Sequence, residues 1–243
     1  MALPVAPDML VVSEILPSTL VGDGPMAGRR CALIRLGGCN LACSWCDVPY
    51  SWDGSQVDLQ TSLHRRLVRN VVEEALVTSP RLVLITGGEP LLQQRTAGWA
   101  AMLTSLSEYG AEIEVHTNGT LAPGPDSVER VHRFIVSPKL SHSGEPMWTR
   151  MRPEAMQVWA ELARAGRAAF SFVVRDRMDV QTTATLAAVH EIPPHLVWIS
   201  PEGTTPARIL QVTAEVAEAA VETGFHLATR MGVLARIPRY AVA

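Results

Sequence analysis

Strand-like runs alternating with helix-like runs predict an α/β fold, a partial (β/α) barrel built on parallel strands. Two observations carry that prediction. Short apolar runs recur at 31–36, 81–86, 112–117, 133–136, 169–175, 197–200 and 226–229, with the length and branched composition of buried strands. Between them lie stretches with apolar residues at helical spacing, the pattern of parallel βα units. The 243 residues, 47% apolar and 19% charged, suffice for one soluble domain spanning 1–243.

The helices follow in order. Leu63, Leu67, Val68, Val71, Val72, Ala75 and Leu76 form one apolar stripe and predict one helix. Trp99, Met102, Leu103 and Leu106 form the next, stopped by Gly110. Met156, Trp159 and Leu162 read as core. A later helix starts with Thr205 as N-cap and Pro206 in its first position. No internal repeat or low-complexity linker interrupts this order.

Composition excludes several classes of protein. A net charge of −3 without basic runs argues against a nucleic-acid surface. No apolar run approaches the roughly 20 residues of a membrane span, and the first residues lack the basic and apolar segments of a signal peptide. A cytoplasmic location is the expectation. Of 21 basic side chains, Lys139 is the only lysine. Its compact ammonium is something arginine's planar fork does not reproduce, so Lys139 is a candidate functional residue.

In such a sheet chemistry collects at the C-terminal ends of the strands, and the polar motifs fall there. Cys39-Asn-Leu-Ala-Cys43-Ser-Trp-Cys46 follows the first strand. Thr86-Gly87-Gly88-Glu89-Pro90 ends the second, Thr117-Asn118-Gly119-Thr120 the third and Ser137-Pro138-Lys139 the fourth. Ser200-Pro-Glu-Gly203 ends a later one. Each alone could be a turn; their convergence on one rim is the signal.

The cysteine spacing is Cys-x3-Cys-x2-Cys. Three such thiolates can hold three irons of a cubic 4Fe–4S cluster, which normally takes four cysteines, leaving one iron open to a small molecule. A structural zinc site wants four ligands and would have to recruit Cys31 or one of seven histidines. A non-catalytic metal-binding protein is therefore the reading from another class, and metal analysis separates the two. A disulfide framework suits neither the length nor the expected compartment.

With Gly87-Gly88-Glu89-Pro90, the cysteine loop resembles the radical S-adenosylmethionine superfamily. Arg35-Leu-Gly-Gly-Cys39-Asn-Leu41, Trp45-Cys46-Asp47 and Ser137-Pro138-Lys139 are more specific. From Ser13 to about Arg230 the chain is similar to the 7-carboxy-7-deazaguanine synthase family, which contracts 6-carboxy-5,6,7,8-tetrahydropterin to a pyrrolopyrimidine with loss of ammonia. The resemblance implies the barrel of the radical S-adenosylmethionine type, a 4Fe–4S cluster on Cys39, Cys43 and Cys46, and S-adenosyl-L-methionine on its open iron. It places Gly87, Gly88 and Glu89 at the amino group of that cofactor, with Thr117, Asn118, Ser137 and Lys139 also binding it. It implies substrate contacts from Val21, Asp23, Arg35 and Thr86, with Arg35, Asp47 and Asp23 as catalytic residues. A small-molecule substrate, an electron donor such as flavodoxin or ferredoxin, and a homodimer are implied as well.

The departures lie on the substrate side. The family usually reads Gln-Gly-Glu-Gly where this chain has Val21-Gly22-Asp23-Gly24. Val48 replaces a threonine that assists magnesium, and a methyl group cannot ligate a hard cation that wants oxygen. The usual acidic pair of the third strand is Glu114 and His116; a lysine expected near Ser171 is absent. The stretch 230–236 lacks the usual histidine and Trp-Gly. Two readings stay open: a divergent synthase working without threonine-bound magnesium, or the same radical initiator acting on a different small molecule. An activating enzyme for a partner protein has less to support it, since no extra domain or second cysteine cluster is present.

Overall fold

The computed structural model describes residues 8–235. The segment 1–7, considered above for targeting signals, and Arg236 lie outside the described residues. In chain order the elements are β1 (Met9–Leu20), β2 (Arg30–Leu36), α1 (Leu59–Ser62), β3 (His64–Leu67) and α2 (Val68–Leu76). Then come β4 (Leu82–Gly87), α3 (Ala97–Glu108), β5 (Glu112–Thr117), α4 (Pro125–Arg130), β6 (Arg133–Val136), α5 (Met147–Arg150) and α6 (Pro153–Arg164). The last are β7 (Ala168–Val174), α7 (Arg177–Val189), β8 (Val197–Pro201), α8 (Pro206–Thr223), β9 (His226–Leu227) and α9 (Met231–Leu234).

All nine strands join one sheet in the order β3-β1-β2-β4-β5-β6-β7-β8-β9. From β2 to β9 neighbouring strands in that order run parallel, as the βα alternation predicts. The sheet does not close: its outer strands, β3 and β9, do not pair. β4 and β7 are buried along their whole length, because helices cover one face and the concave face is filled. The main core lies between sheet and helices, around Trp99, Trp159, Phe134, Phe170 and Phe172. A smaller core of Val21, Cys31, Leu33, Leu82 and Leu84 fills part of the other side.

The predicted caps form. Thr205 Oγ1 accepts from Arg208 N, with Pro206 opening α8. α3 is capped by Tyr109, and Gly110 follows in the left-handed region. Two expectations change. β1 has no counterpart among the predicted strands, and it adds antiparallel to the edge of β2. The stripe from Leu63 to Leu76 is not one helix. Leu63 follows α1, and residues 64–67 pair with residues 9–12 as β3 before α2 begins. Bonding to β1 satisfies the backbone of 64–67 in extended form, and tertiary pairing overrides the local period. Among the described residues no helix is long and apolar enough to cross a membrane.

Candidate functional site

The loops that follow β2, β4, β5 and β6 meet at a cleft whose open space, mouth included, is about 590 Å³. The β2 loop contributes Cys39, Cys43 and Cys46 with Trp45, Asp47, Val48 and Trp52. The β4 end contributes Thr86, Gly87 and Gly88; the β5 end His116, Thr117 and Asn118; the β6 end Ser137 and Lys139.

The β2 loop is fixed on three sides. Ala42 N donates to Glu145 Oε1 at 2.5 Å, Ser44 N to Ser143 O at 2.9 Å and Ser44 Oγ to His142 O at 3.2 Å. Asn40 Nδ2 donates to Thr120 Oγ1 at 2.8 Å, and Asn118 Nδ2 to Asn40 Oδ1 at 2.9 Å. Gly38 N bonds Ser51 O at 2.8 Å, closing the loop on itself. Behind the turn at 141–145, His142 Nδ1 lies 3.4 Å from Asp179 Oδ2. Burial would raise the Asp179 carboxyl, but His142 and the Arg175 side chain and amide hold it well below the usual carboxylate range.

The β4 end is pressed against this loop. A Cβ on Gly88 would stand 2.4 Å from Gly38 O and 2.8 Å from Cys39 Cβ, so only glycine permits the approach. Glu89 N donates to Gly38 O at 2.8 Å. The Glu89 carboxylate accepts from Leu91 N at 3.0 Å, Thr117 Oγ1 at 2.8 Å and Asn118 N at 2.6 Å. Burial raises its carboxyl, with those three donors opposing the rise.

Lys139 Nζ donates to Ser137 Oγ at 2.8 Å and stands 5.3 Å from the centre of the Trp45 ring. Burial pushes the Cys39 thiol up to about 12, with Glu89 and the two neighbouring cysteines adding and the Leu41 amide opposing. Burial also raises Cys43, with Lys139 opposing. Cysteines bind a metal as thiolates, so metal binding releases their protons.

The donor set fits an iron–sulfur cluster. Three soft thiols from one loop face one opening. Among the described residues no three His, Cys, Asp or Glu side chains gather closely enough to hold a single metal ion. Cys31 lies on β2, fully buried in the smaller core.

Four residues expected at the cofactor or substrate do not line the cleft. Val21 is buried with Cys31, Leu33, Leu82 and Leu84, where an apolar side chain is stable. The Asp23 carboxylate accepts from Ser200 Oγ at 2.5 Å and from Gly24 N at 2.7 Å, which turns it onto β8. Arg35 is buried on β2; its Nε donates to Glu14 Oε2 at 3.3 Å and its guanidinium lies 6.0 Å from the Tyr50 ring centre. Glu89 is fully buried and turned toward Leu91 N, Thr117 Oγ1 and Asn118 N. Thr86, Gly87, Gly88, Thr117, Asn118, Ser137, Lys139, Asp47 and the three thiols are all at the cleft.

Sequence reasoning missed several participants. Asn40 ties the β2 loop to the β5 loop; its place inside the cysteine motif was the available signal. Arg230, noted only as a departure, reaches from the stretch before α9 to Asp47 Oδ2 at 2.5 Å and Gly203 O at 3.1 Å. His116 and Glu114, also noted only as a departure, pair with His116 Nε2 2.8 Å from Glu114 Oε1, and the buried His116 Nδ1 has no partner among the described residues. Trp52 Nε1 donates to Cys46 Sγ at 3.2 Å, a contact across six residues that no spacing pattern announces.

The strand order and the thiol loop define a radical S-adenosylmethionine enzyme, and residues 33–144 match the Radical SAM superfamily. A 7-carboxy-7-deazaguanine synthase of Hyperthermus butylicus is 33% identical over 95% of this chain and 94% of its own length. One from Pyrobaculum aerophilum is 30% identical over 92% of this chain and 93% of its own. The chain belongs to the 7-carboxy-7-deazaguanine synthase family. The structure of QueE from Escherichia coli superposes with a TM-score of 0.65 at 21% identity, covering 91% of this chain and 93% of that one, a likeness of fold. Family membership implies a 4Fe–4S cluster and S-adenosyl-L-methionine.

Proposed function

We propose that this enzyme makes 7-carboxy-7-deazaguanine, the product its relatives are named for, by contracting 6-carboxy-5,6,7,8-tetrahydropterin with release of ammonia. The observation that carries this reading is the meeting of the thiol loop with the Gly87–Gly88 edge, Asn118, Ser137 and Lys139 in one cleft. When bound, the cluster and S-adenosyl-L-methionine supply a carbon-centred radical that removes a substrate hydrogen. Cys39, Cys43 and Cys46 hold the cluster. The Gly87 and Gly88 backbone meets the amino group of S-adenosyl-L-methionine, and Thr117, Asn118 and Ser137 meet its ribose and tail. Lys139 neutralises its carboxylate as a point charge.

Toward the substrate the cleft offers Thr86, Asp47 and His116. Glu114 orients the His116 ring, leaving Nδ1 to face a polar group of the substrate. Asp23 and Arg35 act as positioning residues, Asp23 through Ser200 and Arg35 through Glu14 and Tyr50. Val48 is buried at the cleft wall and its side chain has no oxygen, so the reaction runs without a threonine-bound magnesium. One domain spanning 1–243, a homodimer, a cytoplasmic location and a flavodoxin or ferredoxin donor complete the reading.

Anaerobic reconstitution with 6-carboxy-5,6,7,8-tetrahydropterin, S-adenosyl-L-methionine and a reductant tests it, with product mass and ammonia as readouts. Cleavage of S-adenosyl-L-methionine without a ring-contracted product would assign a different small-molecule substrate. The observation favouring that second reading is the apolar Val48 on the cleft wall, since a missing partner for a buried polar substrate costs ~1–3 kcal/mol.

A further inference from the structure

The β2 loop presents its three thiols differently. Cys39 Sγ faces a backbone donor, Leu41 N, at 3.5 Å. Cys43 lies in the field of Lys139. Among the described residues, Cys46 alone of the three faces a side-chain N–H, that of Trp52, at 3.2 Å and therefore within hydrogen-bond range for sulfur. The indole is held where it is. Trp52 N donates to Pro49 O at 3.0 Å, Ser51 Oγ to Val48 O at 2.8 Å and Gly38 N to Ser51 O at 2.8 Å. The short 3₁₀ turn Pro49–Ser51 is thus fastened to the start of the thiol loop, and Trp52 lies on the cleft wall.

We infer that Trp52 is a positioning residue that raises the reduction potential of the cluster through its N–H···Sγ bond to Cys46. The inference rests on the cluster assignment above and deepens it. Adding an electron to an iron–sulfur cluster places more negative charge on its sulfurs. An N–H aimed at one of them therefore stabilises the reduced form more than the oxidised form. The bond is short, part-buried and preorganised by backbone contacts, so little ordering cost opposes it. Trp45, the other indole on the cleft wall, plays no such part. Its Nε1 has no partner among the described residues, and its ring faces Lys139 and His142.

Trp52→Phe keeps an aromatic ring and removes the donor. Iron and sulfide are measured first on reconstituted wild-type protein and variant; absence of a cluster from the wild type would fail the cluster assignment itself. A redox titration followed by electron paramagnetic resonance then reads the potential. The expected result is unchanged iron content and an about tenfold fall in the reduced-to-oxidised ratio at fixed potential, equivalent to 59 mV for a one-electron couple. An unchanged or higher potential overturns the inference. Should Trp52→Phe not take up iron, wild-type protein carrying ¹⁵N-indole tryptophan gives the answer. The reduced cluster should then show a hyperfine coupling to an indole nitrogen that persists in Trp45→Phe. No such coupling would equally overturn the inference.

Discussion

Replacing Cys39, Cys43 or Cys46 by alanine removes one of three thiolates facing the same opening, so each variant should lose the cluster. Cys31→Ala should keep it, because that thiol is buried in the smaller core and away from the cleft. Iron and sulfide analysis checks both; loss of iron in Cys31→Ala with the fold intact would revise the ligand set. Lys139 bears on S-adenosyl-L-methionine. It stands between Ser137 Oγ and the Trp45 ring, and charge-assisted bonds to a carboxylate are worth about 1.5–3 kcal/mol. Lys139→Ala should weaken binding by about 1 kcal/mol or more in a calorimetric titration, and unchanged affinity would return Lys139 to a bystander. Val48 bears on magnesium. Turnover should respond little to chelator, while Val48→Thr should create or raise magnesium stimulation if the substrate is the family's pterin. Strong stimulation of the unaltered enzyme would mean that Asp47 or the substrate holds the ion without help.

At the scale of elements, the parallel strands are legible in the sequence because their apolar runs and following motifs occur in register with the βα period. The antiparallel edge is not. β1 carries Pro17 and polar residues, and its pairing with β2 shifts register between Leu16 and Thr19, a position where proline is tolerated in a strand. β3 is four residues, mostly polar, and acquires its conformation from β1. The cleft shows the same division. Residues fixed by local motif, such as the thiols and Gly88, are readable. Contacts such as Asn40–Asn118, Trp52–Cys46 and the folding of Asp23 onto Ser200 depend on where loops meet. The β2–β4 contact is testable. Gly88→Ala would drive a methyl group into Gly38 O and Cys39 Cβ, and backbone cannot move aside as a flexible side chain can. The variant should fold less stably and hold less iron after reconstitution. Full cluster content and unchanged thermal stability would show that the approach is looser than 2.4 Å implies.

The molecule as a whole is an open sheet in which side chains, rather than strand pairing, join the segments flanking β2 to β8 and to the stretch after β9. Asp23, before β2, accepts from Ser200 on β8. Arg230, after β9, spans from Gly203 O to Asp47 in the thiol loop. These straps fasten the first part of the chain to the last strands at the cleft end, where a closed barrel would have backbone hydrogen bonds. Arg230 is 4% exposed, so it cannot be left unpaired cheaply. Breaking one partner of a buried ion pair costs about 3–5 kcal/mol, and the partly exposed Asp47 puts this case near the lower end. At about 2–4 °C per kcal/mol for a chain of this size, Asp47→Asn, which leaves the buried Arg230 guanidinium without its carboxylate, should lower Tm by roughly 6–12 °C. Arg230→Gln, which leaves only the partly exposed Asp47 unpaired, should do the same in part. Because both changes remove one contact, their effects should not add. The double variant should be more stable than the sum of the single losses predicts, giving a coupling energy within the roughly 0.5–3 kcal/mol usual for contacting residues. Additive losses would mean that the Arg230–Asp47 strap contributes nothing as a pair.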